Sequence, residues 1–197
     1  MSVIKVGPWN RASRILHAYA FRFHSVVDVA VHKEALRYER EMKLGIRDQA
    51  PGGQKFRPLS PITVHLKGSS KALIDKGDLM RSIGTTKFGP TAYFVGVHRM
   101  KRHRSGRSLV NIAKIHEFGQ VVIQKVTKKQ ERYFMALFIK GLWKRGGPGS
   151  LPREGDTIMV RTPRREFVAP VYKKLSPGTK ERVLRDILVG MGIASRL

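Results

Sequence analysis

The fold is decided by a short stretch, residues 77–97, which has the sequence GDLMRSIGTTKFGPTAYFVGV. Gly77 permits a tight turn, and Asp78 is predicted to cap a helix over residues 79–82. Leu79 and Ile83 are one helical turn apart, as expected of two residues that face one core. Two β-rich segments, 83–88 and 92–97, flank the turn Gly-Pro-Thr. The stretch therefore predicts a short helix that leads directly into an antiparallel pair of strands.

Before this unit, the sequence predicts a long helix over residues 10–44, because apolar residues recur there and neither Gly nor Pro interrupts them. Asn10 is its predicted N-cap and Gly45 its predicted end. A turn-rich loop follows at residues 49–58. Ser60 and Pro61 then have the pattern of a helix start, and this helix is expected to reach Lys67.

After this unit, the sequence alternates between helices and strands without regular βαβ repeats. It predicts a helix over residues 109–118 that Gly119 ends, with Ile115 and Phe118 facing inward, and a capped helix that starts after Thr127. Pro170 is expected to kink a helix. The other predicted segments are strands at 121–126 and 157–161, helices at 128–142, 164–174 and 177–189, and loops at 98–107 and 144–155. The order favours a single α+β domain over residues 1–197, with a helical N-terminal arm (about 10–45), a basic loop (about 98–108), a C-terminal helix (about 177–190) and a small, mainly antiparallel sheet.

Charge is the extreme property of the composition. The 197 residues include 39 Lys and Arg against 14 Asp and Glu, a net charge of +25. Such an excess opposes compaction and favours a polyanionic partner, with nucleic acid as the first candidate. The chain has no Cys, which excludes disulfides and cysteine-ligated zinc. No apolar run reaches the length of a transmembrane helix, so no membrane partner is expected.

The sequence contains no convincing catalytic motif, and no cofactor or metal is expected. It lacks a Gly-x-Ser-x-Gly elbow, a phosphate loop and a dinucleotide-binding glycine pattern. His116 and Glu117 are adjacent, but neighbouring helical residues point about 100° apart, which does not suit a shared proton relay. We therefore expect a packed His116, a Glu117 paired with a nearby cation, and no enzymatic activity.

The basic loop is the candidate contact with DNA or with a partner. It gathers five cations and no acid within nine residues, so repulsion is expected to keep it extended until a polyanion neutralises it. Contact with DNA would involve phosphates without base readout. Its cations are Arg99, Lys101, Arg102, Arg104 and Arg107.

Four blocks, taken in order, resemble the family of phage virion-morphogenesis and tail-completion proteins. That family includes the G protein of Mu-like phages and is similar in role to the lambda tail protein Z. The first block is a Pro-Gly loop with an aromatic and Pro-Leu-Ser, the second Gly-x-Leu-x-x-Ser-Ile, the third Ile-His-x-Phe-Gly and the fourth Pro-x-Arg-x-Phe. The residues that carry them are Phe56, Pro58, Leu59 and Ser60; Gly77, Asp78, Leu79, Ser82 and Ile83; Ile115, His116, Glu117, Phe118 and Gly119; and Pro163, Arg165 and Phe167.

The resemblance implies a structural virion protein that completes the tail or joins it to the head. It implies a homo-oligomeric ring, often six-fold, which contacts tail-tube or terminator proteins and neck or connector proteins. DNA would pass through the ring, and the protein would be assembled in the host cytoplasm. The alternative is a basic nucleic-acid-binding protein outside the virion, ribosomal or nucleoid-like, which the charge alone would favour. A nuclease is a weaker alternative, since it would require clustered carboxylates.

Overall fold

A computed structural model describes residues 7–103, 105–142 and 151–193, and it has the α+β architecture that the sequence predicts. Two one-turn 3₁₀ helices, Pro51–Gly53 and Ser176–Gly178, connect longer elements. The elements in chain order are α1 (Trp9–Arg47), α2 (Pro61–Lys67), α3 (Asp78–Ser82), β1 (Ile83–Gly89), β2 (Ala92–Val97), α4 (Leu109–Phe118), β3 (Gln120–Lys125), α5 (Lys128–Ile139), β4 (Thr157–Thr162), α6 (Ala169–Leu175) and α7 (Thr179–Gly190).

The long helix α1 is longer than predicted at both ends. Its N-cap is Pro8 rather than Asn10, and the helix continues through Gly45 to Arg47. Gly45 is needed for a close approach: a Cβ there would lie 2.5 Å from the Cα of Pro51. The prediction that Gly45 ends the helix is therefore wrong, because the absence of a side chain serves packing at this position and not helix termination.

The helix–hairpin unit agrees with its sequence. Antiparallel strands β1 and β2 pair from Ile83 opposite Val97 to Gly89 opposite Ala92. The hairpin packs along α1, where the Asp28 carboxylate accepts hydrogen bonds from Lys87 Nζ at 2.6 Å and from the Tyr93 hydroxyl at 2.9 Å. The rings of His32 and Tyr93 stack at 4.8 Å. These contacts fix the hairpin to the middle of α1.

The remaining two strands form a second, separate sheet. Strands β3 and β4 are antiparallel and pair from Gln120 opposite Thr162 to Lys125 opposite Thr157, and no strand of the described residues joins either edge. We call this pair the ribbon. The sequence predicts a single sheet, but the two hairpins do not pair with each other.

The core lies where α1, α3, α4 and α6 meet. Its best buried side chains are Ile46, Ile83, Phe167 and Val171. Leu79 belongs to the same cluster, as its spacing from Ile83 predicts. Phe56 packs against this cluster from the first sequence block, so that block reaches the centre of the molecule.

The C-terminal helix α7 is fastened to α1 by a buried ion pair. Glu34 is buried, and its carboxylate accepts hydrogen bonds from the Arg182 guanidinium, with Nε at 3.0 and 3.1 Å from the two oxygens. Lys33 and Asp186 add a more exposed pair at 3.0 Å. A polar contact of this kind specifies how the two helices align, because one unpaired partner would leave a buried charge.

Three local predictions near the C-terminus were only partly right. Pro170 lies in the first turn of α6 and begins that helix instead of kinking a longer one. Helix α5 ends at Ile139, before the predicted Leu142. Much of the loop predicted at residues 144–155 lies outside the described residues.

Candidate functional site

The four sequence blocks meet at one junction, which is organised around Arg165. This residue is only 7% exposed. Its Nε donates to the carbonyl of Arg57 at 3.1 Å and its Nη2 to the carbonyl of Pro58 at 3.2 Å, both in the first block. Its backbone N–H donates to the carbonyl of His116 in the third block at 2.7 Å. One arginine of the fourth block thus ties together the first and the third.

Glu117 closes the junction from the opposite direction. Its carboxylate accepts backbone N–H groups from Phe167 at 2.9 Å, Val168 at 3.2 Å and Ala169 at 2.8 Å. The expectation of a cation partner for Glu117 is wrong: its partners are the unpaired N–H groups at the start of α6, where a carboxylate is favoured. Because a hydrogen bond to a charged group contributes roughly 1.5–3 kcal/mol, Glu117 is a main fastener of α6.

The second block supplies the apolar side of the junction. Leu79 and Ile83 are buried in the core, and the buried Ser82 hydroxyl donates to the carbonyl of Leu79 at 2.6 Å. Gly77 has a φ of 79° and is itself the N-cap of α3. Asp78 was expected in that position, but it is the first helical residue and pairs with Arg81 at 2.6 Å.

The remaining motif residues serve packing and turns. Ser60 caps α2 by accepting the N–H of Thr63 at 3.3 Å, as predicted. Gly119, with a φ of 76°, ends α4. Ile115 and Pro163 are half-buried. Phe118 was expected to face inward but is 69% exposed, because its neighbour Glu117 occupies the inward position.

His116 is surrounded by cations and lies beside a cavity of about 250 Å³ between α2, α3 and α4. Burial, together with the nearby charges of Arg165 and Lys67, lowers the pKa of His116, so the ring is held neutral. Its Nδ1 is buried and has no hydrogen-bond partner among the described residues. Burial also lowers the pKa values of Lys67 and Arg165. The lining of the cavity is largely apolar but includes Asp75, Asp78 and His103.

This concentration of buried cations does not follow from the sequence, which indicates Arg165 only as a motif residue and Lys67 only as a helix end. Within the described ranges, no carboxylate forms an ion pair with Arg165, whose charge is met by the carbonyls of Arg57 and Pro58. A signal is present in the sequence, since Arg165 lies between the buried positions of the fourth block, but its carbonyl partners are over 100 residues away along the chain.

The basic loop is a folded turn and not an extended segment. His103 N–H donates to the carbonyl of Arg107 at 2.8 Å, and Arg102 forms a bridge with Ser108. Lys101 Nζ donates to the carbonyl of Arg81 in α3 at 3.0 Å, so this cation is partly engaged. The side chains of Arg99, Arg102 and Arg107 are exposed, while Arg104 lies outside the described residues. The loop therefore presents separated cations on a fixed turn next to α3.

In the part of the chain that the structure describes, no group of three or more His, Cys, Asp or Glu residues is placed to hold a metal ion. None of the described helices is long and apolar enough to cross a membrane. No protein-family model, curated protein or solved structure matches this chain. The functional argument therefore depends on the sequence blocks and on the geometry that they form.

Proposed function

We propose that this protein is a non-enzymatic structural protein of a tailed bacteriophage, a component of the ring that completes the tail or forms the neck between tail and head. The observation that carries the proposal is the junction. Four blocks that together resemble the tail-completion family lie far apart in the sequence, yet they converge on Arg165 and Glu117. A shared set of residues that builds one junction supports a shared fold and, through the resemblance, a shared role.

The chemistry of the junction favours a structural role over a catalytic one. The Glu117 carboxylate is occupied by three backbone N–H groups and is not placed to accept a proton from a substrate. His116 shares no hydrogen bond with Glu117, and their adjacent side chains diverge on α4. We expect the purified protein to leave duplex DNA intact in the presence of Mg²⁺ or Mn²⁺, and cleavage that disappears in Glu117→Gln would overturn this part of the proposal.

The charge is consistent with a position around the path of DNA. A net charge of +25 is costly for a lone subunit, and the cost falls when phosphates lie close by. The proposed partners are therefore further copies of the chain, tail-tube or terminator proteins, neck or connector proteins, and phage DNA held by its phosphates. Assembly would take place in the host cytoplasm.

The proposal is tested by a nonsense codon in this gene, introduced into the phage or prophage that carries it. We expect a lysate with filled heads and tails that fail to join, or with tails of abnormal length, and rescue when the protein is supplied from a plasmid. Normal infectious particles without the protein would contradict a role in the virion.

A second candidate, a nucleic-acid-binding protein outside the virion, is favoured by the charge and by the exposed arginines of the basic loop. It predicts that the protein associates with host nucleic acid and does not sediment with purified particles. Sedimentation of a lysate followed by immunoblotting separates the two candidates.

A further inference from the structure

The described structure leaves two apolar surfaces uncovered at different places in the fold. The first is the start of α1, residues 10–25, which we call the arm: all of its residues are exposed. Ile15, Tyr19 and Phe23 follow at intervals of four, and Leu16 lies beside them, so they form one apolar face. Farther along α1 the apolar positions are covered, and Val26 lies against Gly190 at the end of α7. The arm is the uncovered continuation of a packing face.

The second uncovered surface is the ribbon. Val121 and Ile123 of β3 lie on the same face as Met159 of β4, because Val121 pairs with Arg161 and Ile123 with Met159. All three apolar side chains are more than half exposed. A two-stranded sheet is marginally stable by itself, and contiguous exposed apolar side chains mark interaction sites. The ribbon therefore has the properties of one half of an interface.

We propose that the arm of one copy packs on the ribbon of the next copy, in a head-to-tail contact that repeats around an assembly. The two surfaces match in length: the 16 residues of the arm rise about 24 Å as a helix, and the six residues of each ribbon strand span about 20 Å. Pairing between two arms would leave the ribbon exposed, whereas the arm-to-ribbon contact covers both surfaces. Because α1 continues as one helix through the arm, the arm does not fold back onto its own ribbon.

Charge provides a separate reason to choose a second copy as the occupant. The arm carries Arg11, Arg14 and Arg22, and the chain has no acid before Asp28. At the end of the ribbon where β3 leads into α5, Glu131 and Glu154 lie together, with Glu131 accepting the N–H of Glu154 at 3.4 Å. Lysines and arginines follow nearby in α5, but neither acid is within ion-pair distance of any cation in the described ranges, although most other acids are paired. The arginines of an incoming arm would supply the missing partners.

A head-to-tail contact joins two different surfaces and generates either a closed ring or an open filament. Closure would produce the ring of the proposed function, but the contact itself can be tested with purified protein and independently of any phage. A failed contact with normal virion incorporation would leave the proposed function intact, and the reverse result would leave the contact intact.

The test uses the absence of cysteine in the chain. Leu16→Cys and Ile123→Cys are made separately, mixed and mildly oxidised. We expect a disulfide-linked heterodimer to form at least roughly tenfold faster than either homodimer, and the double variant in one chain to give a ladder whose last rung counts the subunits of a ring. Phe88→Cys is the matched control, since Phe88 is as exposed as Leu16 but belongs to the other sheet; it should not cross-link to Leu16→Cys above background.

Charge reversal provides a second, independent measurement. Arg11→Glu with Arg14→Glu, or Glu131→Lys with Glu154→Lys, should each weaken self-association by roughly tenfold, and the combination of both pairs should restore it. All four positions are at least partly exposed, and unchanged circular dichroism would verify folding. A dominant Leu16–Leu16 disulfide would overturn the proposal in favour of arm pairing. Association that is unaffected by both reversals, or a purified protein that stays monomeric, would overturn it as well.

Discussion

At the scale of single residues, close backbone approaches decide several identities, and Gly52 is the clearest case. Gly52 has a φ of 60°, and a Cβ there would lie 2.4 Å from the Pro170 carbonyl oxygen of α6. Gly53 also has a positive φ, 89°, but faces open space. We expect Gly52→Ala to lower the free energy of unfolding by roughly 1–3 kcal/mol more than Gly53→Ala, because both share the backbone strain and only the first is overpacked. Equal decreases in urea titrations would show that Pro170 moves aside at no cost.

His116 predicts how stability depends on pH. Its pKa is lower in the folded protein than the unfolded value of about 6.5, chiefly because it is buried. Its stabilising contribution is therefore complete above about pH 6.5 and is lost as the pH falls towards the folded pKa, since the unfolded chain then binds the extra proton. We expect His116→Leu to reduce the loss of stability between about pH 7 and pH 5, while the exposed His65→Leu leaves it unchanged. Parallel curves for His116→Leu and the unmodified protein would contradict the burial argument.

At the scale of elements, the basic loop provides the test of DNA binding. Replacing Arg99, Lys101, Arg102, Arg104 and Arg107 with Gln should lower the slope of log affinity against log salt by roughly 0.9 for each phosphate that the protein no longer neutralises, without any change in sequence preference. The arm variant Arg11→Gln with Arg14→Gln and Arg22→Gln is the comparison, since it removes arginines from a different surface. Unchanged affinity, slope and assembly would reduce the loop to a solvated turn, and failed assembly with normal DNA binding would indicate an acidic protein partner instead.

Elements with local signals were predicted well from the sequence. Ser60 and Thr127 both accept the N–H three residues ahead, as their helix-start patterns require, and Gln130 completes a capping box with Thr127. The hairpin of β1 and β2 follows from its own turn. These features succeed because donor, acceptor and turn lie within a few residues of each other.

Features set by distant contacts were not accessible in this way. Gly45 has the composition of a helix end, yet Pro51 requires it inside the helix. The choice between Glu117 and Phe118 as the inward residue depends on N–H groups about 50 residues later in the chain. The same holds for the candidate site: the sequence identified the four blocks, but the convergence on Arg165 depends on carbonyls that no local pattern reveals.

At the scale of the whole molecule, charge and uncovered apolar surface both indicate an assembled state. A monomer with a net charge of +25 repels itself, and the arm and the ribbon remain in water. An assembly in which arms cover ribbons, with DNA phosphates near the basic loops, would relieve both costs. The central claim is therefore that this chain acts as a repeated structural part of a virion.

A cryo-electron-microscopy map of the intact particle tests that claim most directly, with the protein located by its 39-residue helix α1. We predict a closed ring of this chain at the end of the tail or in the neck, coaxial with the tail, with the loop of Arg99 and Arg107 directed at the channel or at a neighbouring protein. A well-resolved tail and neck in which every density is accounted for by other proteins would contradict the claim.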